Sequence, residues 1–323
     1  MKKQGIKNFF KRQNPLKIMW VAGLLLWGSV FCAEAAVNPA FLYTLSNFSG
    51  PVSFGRVSFF VDEERNETYV LDLGAGLVRI FDSHGMEVYQ FGEEVVTGRL
   101  VDVAVEKNGD ILGLSKSIGK YSIVRFNFRG QPVSTFGLRN LPAGFSGFSP
   151  DRMGYRNGRL YLLDSSALKI VTADAAGRAQ KGYDLVALLE FDEKKRSALD
   201  VGGFSVDRQG NMLFTIPVIF AAYSLSADGK VRGFGKPGSA PGKFGVVGGI
   251  AADGRGNYYV ADRLRCVVLV FDKDFNFLSE FGYRGTRPQN LIGPTDLVLD
   301  NKNRLYVSQV RKRGVSVFEI RTP

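Results

Sequence analysis

A unit of four short strands recurs six times along this 323-residue chain, and the strand missing from its last copy is available near the N-terminus. Together these two observations predict an all-β protein: a six-bladed β-propeller of four-stranded blades, its ring closed by the N-terminal strand completing the last blade. Composition agrees, since 38 glycines and 26 phenylalanines suit many short strands joined by tight turns, with aromatics packed on pleated surfaces.

The first element is a leader. Lys2, Lys3, Lys7, Lys11, Arg12 and Lys17 precede an apolar run from Ile18 to Cys32, and Ala33-Glu34-Ala35 supplies a small-x-small cleavage site. The run of 15 residues is shorter than a membrane span, which needs about 20. Residues 1–35 are therefore read as a signal peptide and residues 36–323 as the propeller, periplasmic or secreted. Left uncleaved, the same segment would associate the chain with the membrane. Cleavage removes six of 42 Lys/Arg and one of 31 Asp/Glu, so the net charge falls from +11 to +6 (36 against 30). So modest a surplus on an exported protein points to an acidic protein or peptide partner, and no nucleic acid is expected. Cys266 would be the sole remaining cysteine, so no intramolecular disulfide forms; its apolar run, Cys266-Val267-Val268-Leu269-Val270, predicts a buried thiol.

The repeats follow. The fullest copy runs from Gly249-Ile250-Ala251-Ala252-Asp253 through Asn257-Tyr258-Tyr259-Val260-Ala261-Asp262 and Val268-Leu269-Val270-Phe271-Asp272 to Phe281-Gly282. Tyr69-Val70-Leu71-Asp72 and Tyr161-Leu162-Leu163-Asp164 repeat its second strand, and turn glycines Gly85, Gly130, Gly177 and Gly229 are spaced by 45, 47 and 52 residues. First strands beginning near residues 57, 101, 151, 202, 249 and 296 make six blades, about 48 residues each over the 288 beyond the leader, with no room for a second domain. The chain ends on a third strand, Val315 to Ile320, and Phe41-Leu42-Tyr43-Thr44-Leu45 is placed to be its fourth, which removes an exposed edge.

The segment Phe234-Gly235-Lys236-Pro237-Gly238, Gly242-Lys243-Phe244, Gly249-Ile250-Ala251 and Tyr259-Val260-Ala261-Asp262 resembles the blade signature of the NHL family of six-bladed propellers, including its Gly-rich link between blades. Asp262 is followed by Arg263-Leu264-Arg265-Cys266 in place of the family's usual Asn-His-Arg. The resemblance implies a platform for partners, usually proteins and sometimes RNA, with enzymes a minority. Metal-dependent lyases sharing this propeller rely on several histidines, and this chain has one, His84, in the turn Asp82-Ser83-His84-Gly85. A multi-histidine zinc site is excluded, and a Ser-His-Asp triad is disfavoured.

Carboxylates are the better prospect for chemistry. Aligned on the turn before each second strand, one position per blade starts the innermost strand at the upper mouth of the channel; it holds Ser58, Asp102, Asp151, Gly203, Gly249 and Asp296. Asp102, Asp151 and Asp296 could converge there as oxygen ligands for Ca2+, the one candidate cofactor, and similarity to calcium-dependent lactonases of the gluconolactonase type would make a hydrolase of such a site. Alternatively each aspartate accepts hydrogen bonds from nearby loop amides. Asp72, Asp164 and Asp262, ending second strands, are read as Asx-type turns.

Two loops on that upper face depart from the repeat. Leu185-Val186-Ala187-Leu188-Leu189-Glu190 with Phe191 to Arg196 is an insertion of helical propensity. In blade 4 the usual Asp turn is replaced by the apolar stretch Ile216-Pro217-Val218-Ile219-Phe220. Either this stretch is an exposed interaction patch or the insertion folds over it. Basic residues of the same face, Lys116, Lys120, Lys169, Arg263, Arg265 and the run Arg311-Lys312-Arg313, could form an electropositive rim. The expected binding set is therefore Ile216, Val218, Ile219, Phe220, Arg263, Arg265, Arg311, Lys312 and Arg313, acting on a protein or peptide without catalysis.

Overall fold

The computed structural model describes residues 37–92, 98–311 and 313–321; the expected leader and Lys312 lie outside them. Among the described residues, six four-stranded antiparallel sheets form the blades of a β-propeller, with one short hairpin beside them. Blade 1 comprises Val57–Asp62, Glu67–Asp72, Leu77–Phe81 and Glu87–Gly92. The innermost strands of blades 2 to 6 are Arg99–Val105, Arg152–Arg156, Gly203–Val206, Val247–Ala252 and Pro294–Leu299. Each innermost strand packs against the next, and that of blade 6 returns to that of blade 1. The strand Asn38–Thr44 pairs antiparallel with Val315–Arg321 and completes blade 6, with a bulge between Phe41 and Tyr43. No described helix is long and apolar enough to cross a membrane.

The core consists of six apolar clusters, one at each blade interface. At the closing interface Leu45, Phe54 and Phe81 meet Tyr306, Val315 and Val317. Between blades 4 and 5, Phe234 stacks on Phe275 at 4.4 Å and meets Phe244 and Phe271 edge-on. Strand alternation explains this arrangement: residues two apart on a middle strand face the same neighbouring blade, so both faces of each blade are apolar.

Turns on the lower face share one device. Asp207, Asp253, Asp272 and Asp300 each accept, through Oδ1, the backbone N–H groups two and four residues on, at 2.8–2.9 Å. Blade 3 departs from it: its first and second strands are joined by Asn157-Gly158, both left-handed at φ 52° and 75°, in a two-residue hairpin. Glycines narrow the ring on the side of blades 4 to 6. A Cβ on Gly203 would lie 2.3 Å from the Gly248 carbonyl oxygen, and one on Gly249 would lie 2.5 Å from the Leu297 nitrogen.

Candidate functional site at the channel mouth

Strand pairing fixes which side chain each innermost strand sends to the mouth. In blade 1 Ser58 lies opposite Leu71, and in blade 2 Asp102 lies opposite Leu114. The matching partner in blade 3, Leu163, lies opposite Arg152. The ring position therefore holds Ser58, Asp102, Arg152, Gly203, Gly249 and Asp296, and Asp151 is displaced from it by one residue. A slip of one residue moves a side chain to the other face of a strand. The tight Asn157-Gly158 hairpin, shorter than the corresponding turns elsewhere, is the cause, and that dipeptide is the sequence signal for it.

The aspartates consequently do different things. Asp102 is buried, at 5% exposure, and joins three blades: Ser58 Oγ and the Val103 N–H donate to its Oδ1, and the Met153 N–H donates to its Oδ2. Burial pushes its pKa up to about 6, against the lowering effect of Arg152 and these hydrogen bonds. Asp151 accepts both the N–H and the hydroxyl of Ser165 at 2.8–2.9 Å. Asp296 accepts one bond, from the Leu297 N–H at 3.0 Å, and burial raises its pKa. Among the described residues no three His, Cys, Asp or Glu side chains are gathered to hold a metal ion. The donor set does not fit calcium: the oxygens of Asp102 and Asp151 are committed to protein donors, and the Arg152 cation acts on all three aspartates.

Arg152 is the centre of this site. Burial works against its charge, but the carboxylates of Asp296, Asp102, Asp151 and Asp200 outweigh that and raise its pKa. It lines a cavity of about 480 Å3 at the mouth, together with Arg56, Arg263, Asp151, Asp200 and Asp296. Apolar walls come from Leu73, Val201, Pro217, Val246, Val247 and Val310. A second hollow of about 350 Å3 shares Arg56, Leu73, Asp151 and Arg152 with it and adds Arg99. Arg152, Arg56 and Asp200 carry no earlier signal; only the hairpin turn could have drawn Arg152 into view.

The apolar stretch of blade 4 divides. Ile216 is fully buried in one cluster with Leu185 and Val186 of the inserted segment and Leu199 and Val201 just beyond it, and Phe220 is partly buried against the cluster of Phe244 and Val247. Ile216 is therefore closed to a partner, the alternative in which the insertion folds over the stretch, whereas Phe220 keeps part of its surface open. The insertion is ordered by its own caps: Asp184 accepts from the Val186 and Ala187 N–H groups at the start of the helix Leu185–Leu188, and Asp192 caps the turn that follows. Arg196 ties it down through Asp184 at 2.7 Å. Val218 and Ile219 remain exposed, at 58% and 37%, on the turn that begins with the cavity-lining Pro217. Val246, which lines the cavity together with Pro217, and Leu264 are exposed on the neighbouring blade.

The basic residues divide likewise. Arg263 is exposed and lines the cavity, and Arg311 is exposed with left-handed φ of 59°. Arg265 is spent on structure, paired with Glu280 at 2.6 Å and donating to the Lys243 carbonyl. Arg313 is half-buried and donates to the Arg287 carbonyl at 3.4 Å. Lys116 and Lys169 donate to the Ser149 and Gly144 carbonyls. Asp262 accepts the N–H groups of Gly245, Val246, Leu264 and Arg265, binding the Gly-rich link to the blade 5 turn. His84 stands exposed on the opposite face, and Cys266 is buried in the turn before its strand rather than within it.

No family model matches the chain. A stretch of 56 residues, 17% of the chain, is 45% identical to part of the protein lin-41 of Caenorhabditis elegans and spans 5% of that protein's length. In three dimensions the chain is similar to a streptogramin B lyase, with a TM-score of 0.57 and 12% identity over 90% of this chain and 99% of that one. It is also similar to a gluconolactonase from Xanthomonas campestris, with a TM-score of 0.56 and 15% identity over 91% and 93% of the two chains. At such identities the likeness concerns architecture, and fold does not carry activity with it. The chain is, by its strand pairing and by these neighbours, a six-bladed β-propeller.

Proposed function

We propose that the chain is an exported, non-catalytic propeller of NHL type that binds a protein or peptide partner through its upper loop face. One observation carries this reading: Val218 and Ile219 stand exposed on the turn whose Pro217 lines the channel mouth, where Val246 and Arg263 also converge. Exposed apolar side chains grouped on loops of a rigid ring are the mark of an interaction site. The unpaired charge of Arg263 and Arg56 beside them favours a partner with acidic residues flanking apolar ones. A cation-dependent hydrolase has no comparable support, because the aspartates it needs are held by Ser58, Ser165 and backbone donors.

The test is a random peptide library displayed on phage and panned against residues 36–323. Selected peptides are expected to combine acidic and apolar residues. They should bind the double variant Val218→Asp/Ile219→Asp at least tenfold more weakly, about 1.4 kcal/mol. Both residues are exposed, so the variant should keep its melting temperature. Equal binding by the folded variant would overturn the proposal.

A further inference from the structure

We infer that the channel mouth is a binding site for a small zwitterion, an amino acid or short peptide with a free α-ammonium and α-carboxylate and an apolar side chain. This goes beyond the rim reading and is independent of whether a macromolecular partner covers the loops.

The argument is an inventory of unused bonding capacity. Most arginines of known geometry here are committed: Arg79 to Glu87 at 2.9 Å, Arg125 to Glu106 at 2.7 Å, Arg265 to Glu280 and Arg304 to Asp300, both at 2.6 Å. Arg56, Arg152 and Arg263 line one cavity, and among the described residues none makes a side-chain hydrogen bond, although Arg152 lies in the field of Asp296, Asp102, Asp151 and Asp200. Guanidinium groups present several fixed donors that match a carboxylate, and three left open around one cavity form a receptor for it. On the acceptor side Asp151 is satisfied by Ser165, and Asp102 is satisfied behind the wall. Asp296 receives a single bond, to Oδ1, and Asp200 is bonded by the Val201 N–H but by no side chain. These two open carboxylates line the same cavity.

Three cations with unused donors and two carboxylates with unused acceptor sites in one hollow leave a simple anion facing the carboxylates and a simple cation facing the guanidinium groups. A ligand bearing both charges satisfies both sets. The walls supply the third feature, since Val201, Pro217, Val246, Val247 and Val310 offer apolar surface between the charged groups. A volume of about 480 Å3 lies within the usual range for small-molecule sites, roughly 300–1,000 Å3. The aspartates have a second consequence. They offset the cost of burying the Arg152 charge, which keeps a guanidinium at the wall of the cavity.

The experiment is calorimetric titration of residues 36–323 with leucine and with the dipeptide leucyl-leucine, beside N-acetyl-leucyl-leucine and leucyl-leucine amide. At least one of the two zwitterions is expected to bind saturably, and the comparison between them reports the spacing of ammonium and carboxylate that the site prefers. Blocking either charge should weaken binding at least tenfold. Arg263→Gln and Arg56→Gln, at exposed loop positions that leave the fold intact, should each weaken it severalfold, and Arg152→Gln should abolish it. Arg152→Gln also leaves Asp102 and Asp296 without their cation, so if it fails to fold, the two exposed variants decide. The inference is overturned if neither zwitterion binds up to tens of millimolar. It is equally overturned if the capped dipeptides bind as well as the free one, or if both exposed variants bind as the parent does.

Discussion

Asp102 shows how one side chain can serve the ring at a cost that pH reveals. Its hydrogen bonds join blades 1, 2 and 3, yet burial raises its pKa from an ordinary 3.8 to about 6. A carboxyl whose folded pKa lies above its unfolded value binds more protons when native, so folding is favoured most below about pH 4. That contribution is lost as pH rises towards 6 and stays lost above it. A shift of this size corresponds to roughly 3 kcal/mol. The Asp102→Asn variant cannot ionise. Its melting temperature relative to the parent should therefore rise between pH 4 and pH 6, whatever constant offset the lost acceptor introduces. A difference independent of pH in thermal scans would show that Asp102 is not buried in a protonation-sensitive site. The same residue marks a limit of reading one sequence: the repeat places it at the mouth, but its partners Ser58 and Met153 come from strands 44 and 51 residues away.

Innermost strands carry the next level of constraint. Gly203 and Gly249 occupy ring positions where other blades bear Ser58, Asp102, Arg152 and Asp296, because there the strands touch backbone to backbone. Gly249→Ala would bring a Cβ within 2.5–2.8 Å of Leu297 and Asp296 main-chain atoms, which cannot yield as a side chain can. Such overpacking should destabilise the fold by about 2–4 kcal/mol in denaturant unfolding, with the parent's secondary structure retained. Gly55→Ala, where the added methyl meets nothing within 4 Å, is the matched control and should be near neutral. Most elements were legible in the chain itself: second strands from Tyr-Val-x-Asp, turns from Asp and Gly, and the insertion from its helical run. What was not legible was register. Counting back from the second strand assumes equal turns, and the Asn157-Gly158 hairpin breaks that assumption in blade 3 alone, exchanging Asp151 for Arg152. The stretch Ile216–Phe220 divides for a related reason: Ile216 is buried with Leu185 and Val186 of the insertion upstream while Val218 and Ile219 stay exposed, and the sequence, which offered both outcomes, holds no local pattern that chooses between them.

Closure is a property of the complete ring, and the N-terminal strand controls it. Asn38–Thr44 supplies the outermost strand of blade 6 by pairing with Val315–Arg321, and Phe41 meets the buried Phe318 edge-on at 5.8 Å. Leu45 then continues into the core between blades 6 and 1, its N–H bonded to the Val315 carbonyl. The chain ends thus hold each other, and each half of blade 6 is an incomplete sheet without the other. This architecture was readable because strand count and hydrophobic alternation are local, whereas the charge arrangement inside the mouth depends on three blades at once. Removing residues 36–45 should expose the whole edge of Val315–Arg321 and empty the place of Leu45 in the core. An open edge with apolar residues facing both neighbours is a template for association with other chains. Residues 46–323 should therefore melt well below residues 36–323 and form oligomers in size-exclusion chromatography. A synthetic peptide of residues 36–45 added in trans should restore part of the lost melting temperature by binding the native edge alone. A truncated chain that stays monomeric and melts with the parent would mean that blades 1 to 5 hold the ring without the closing strand.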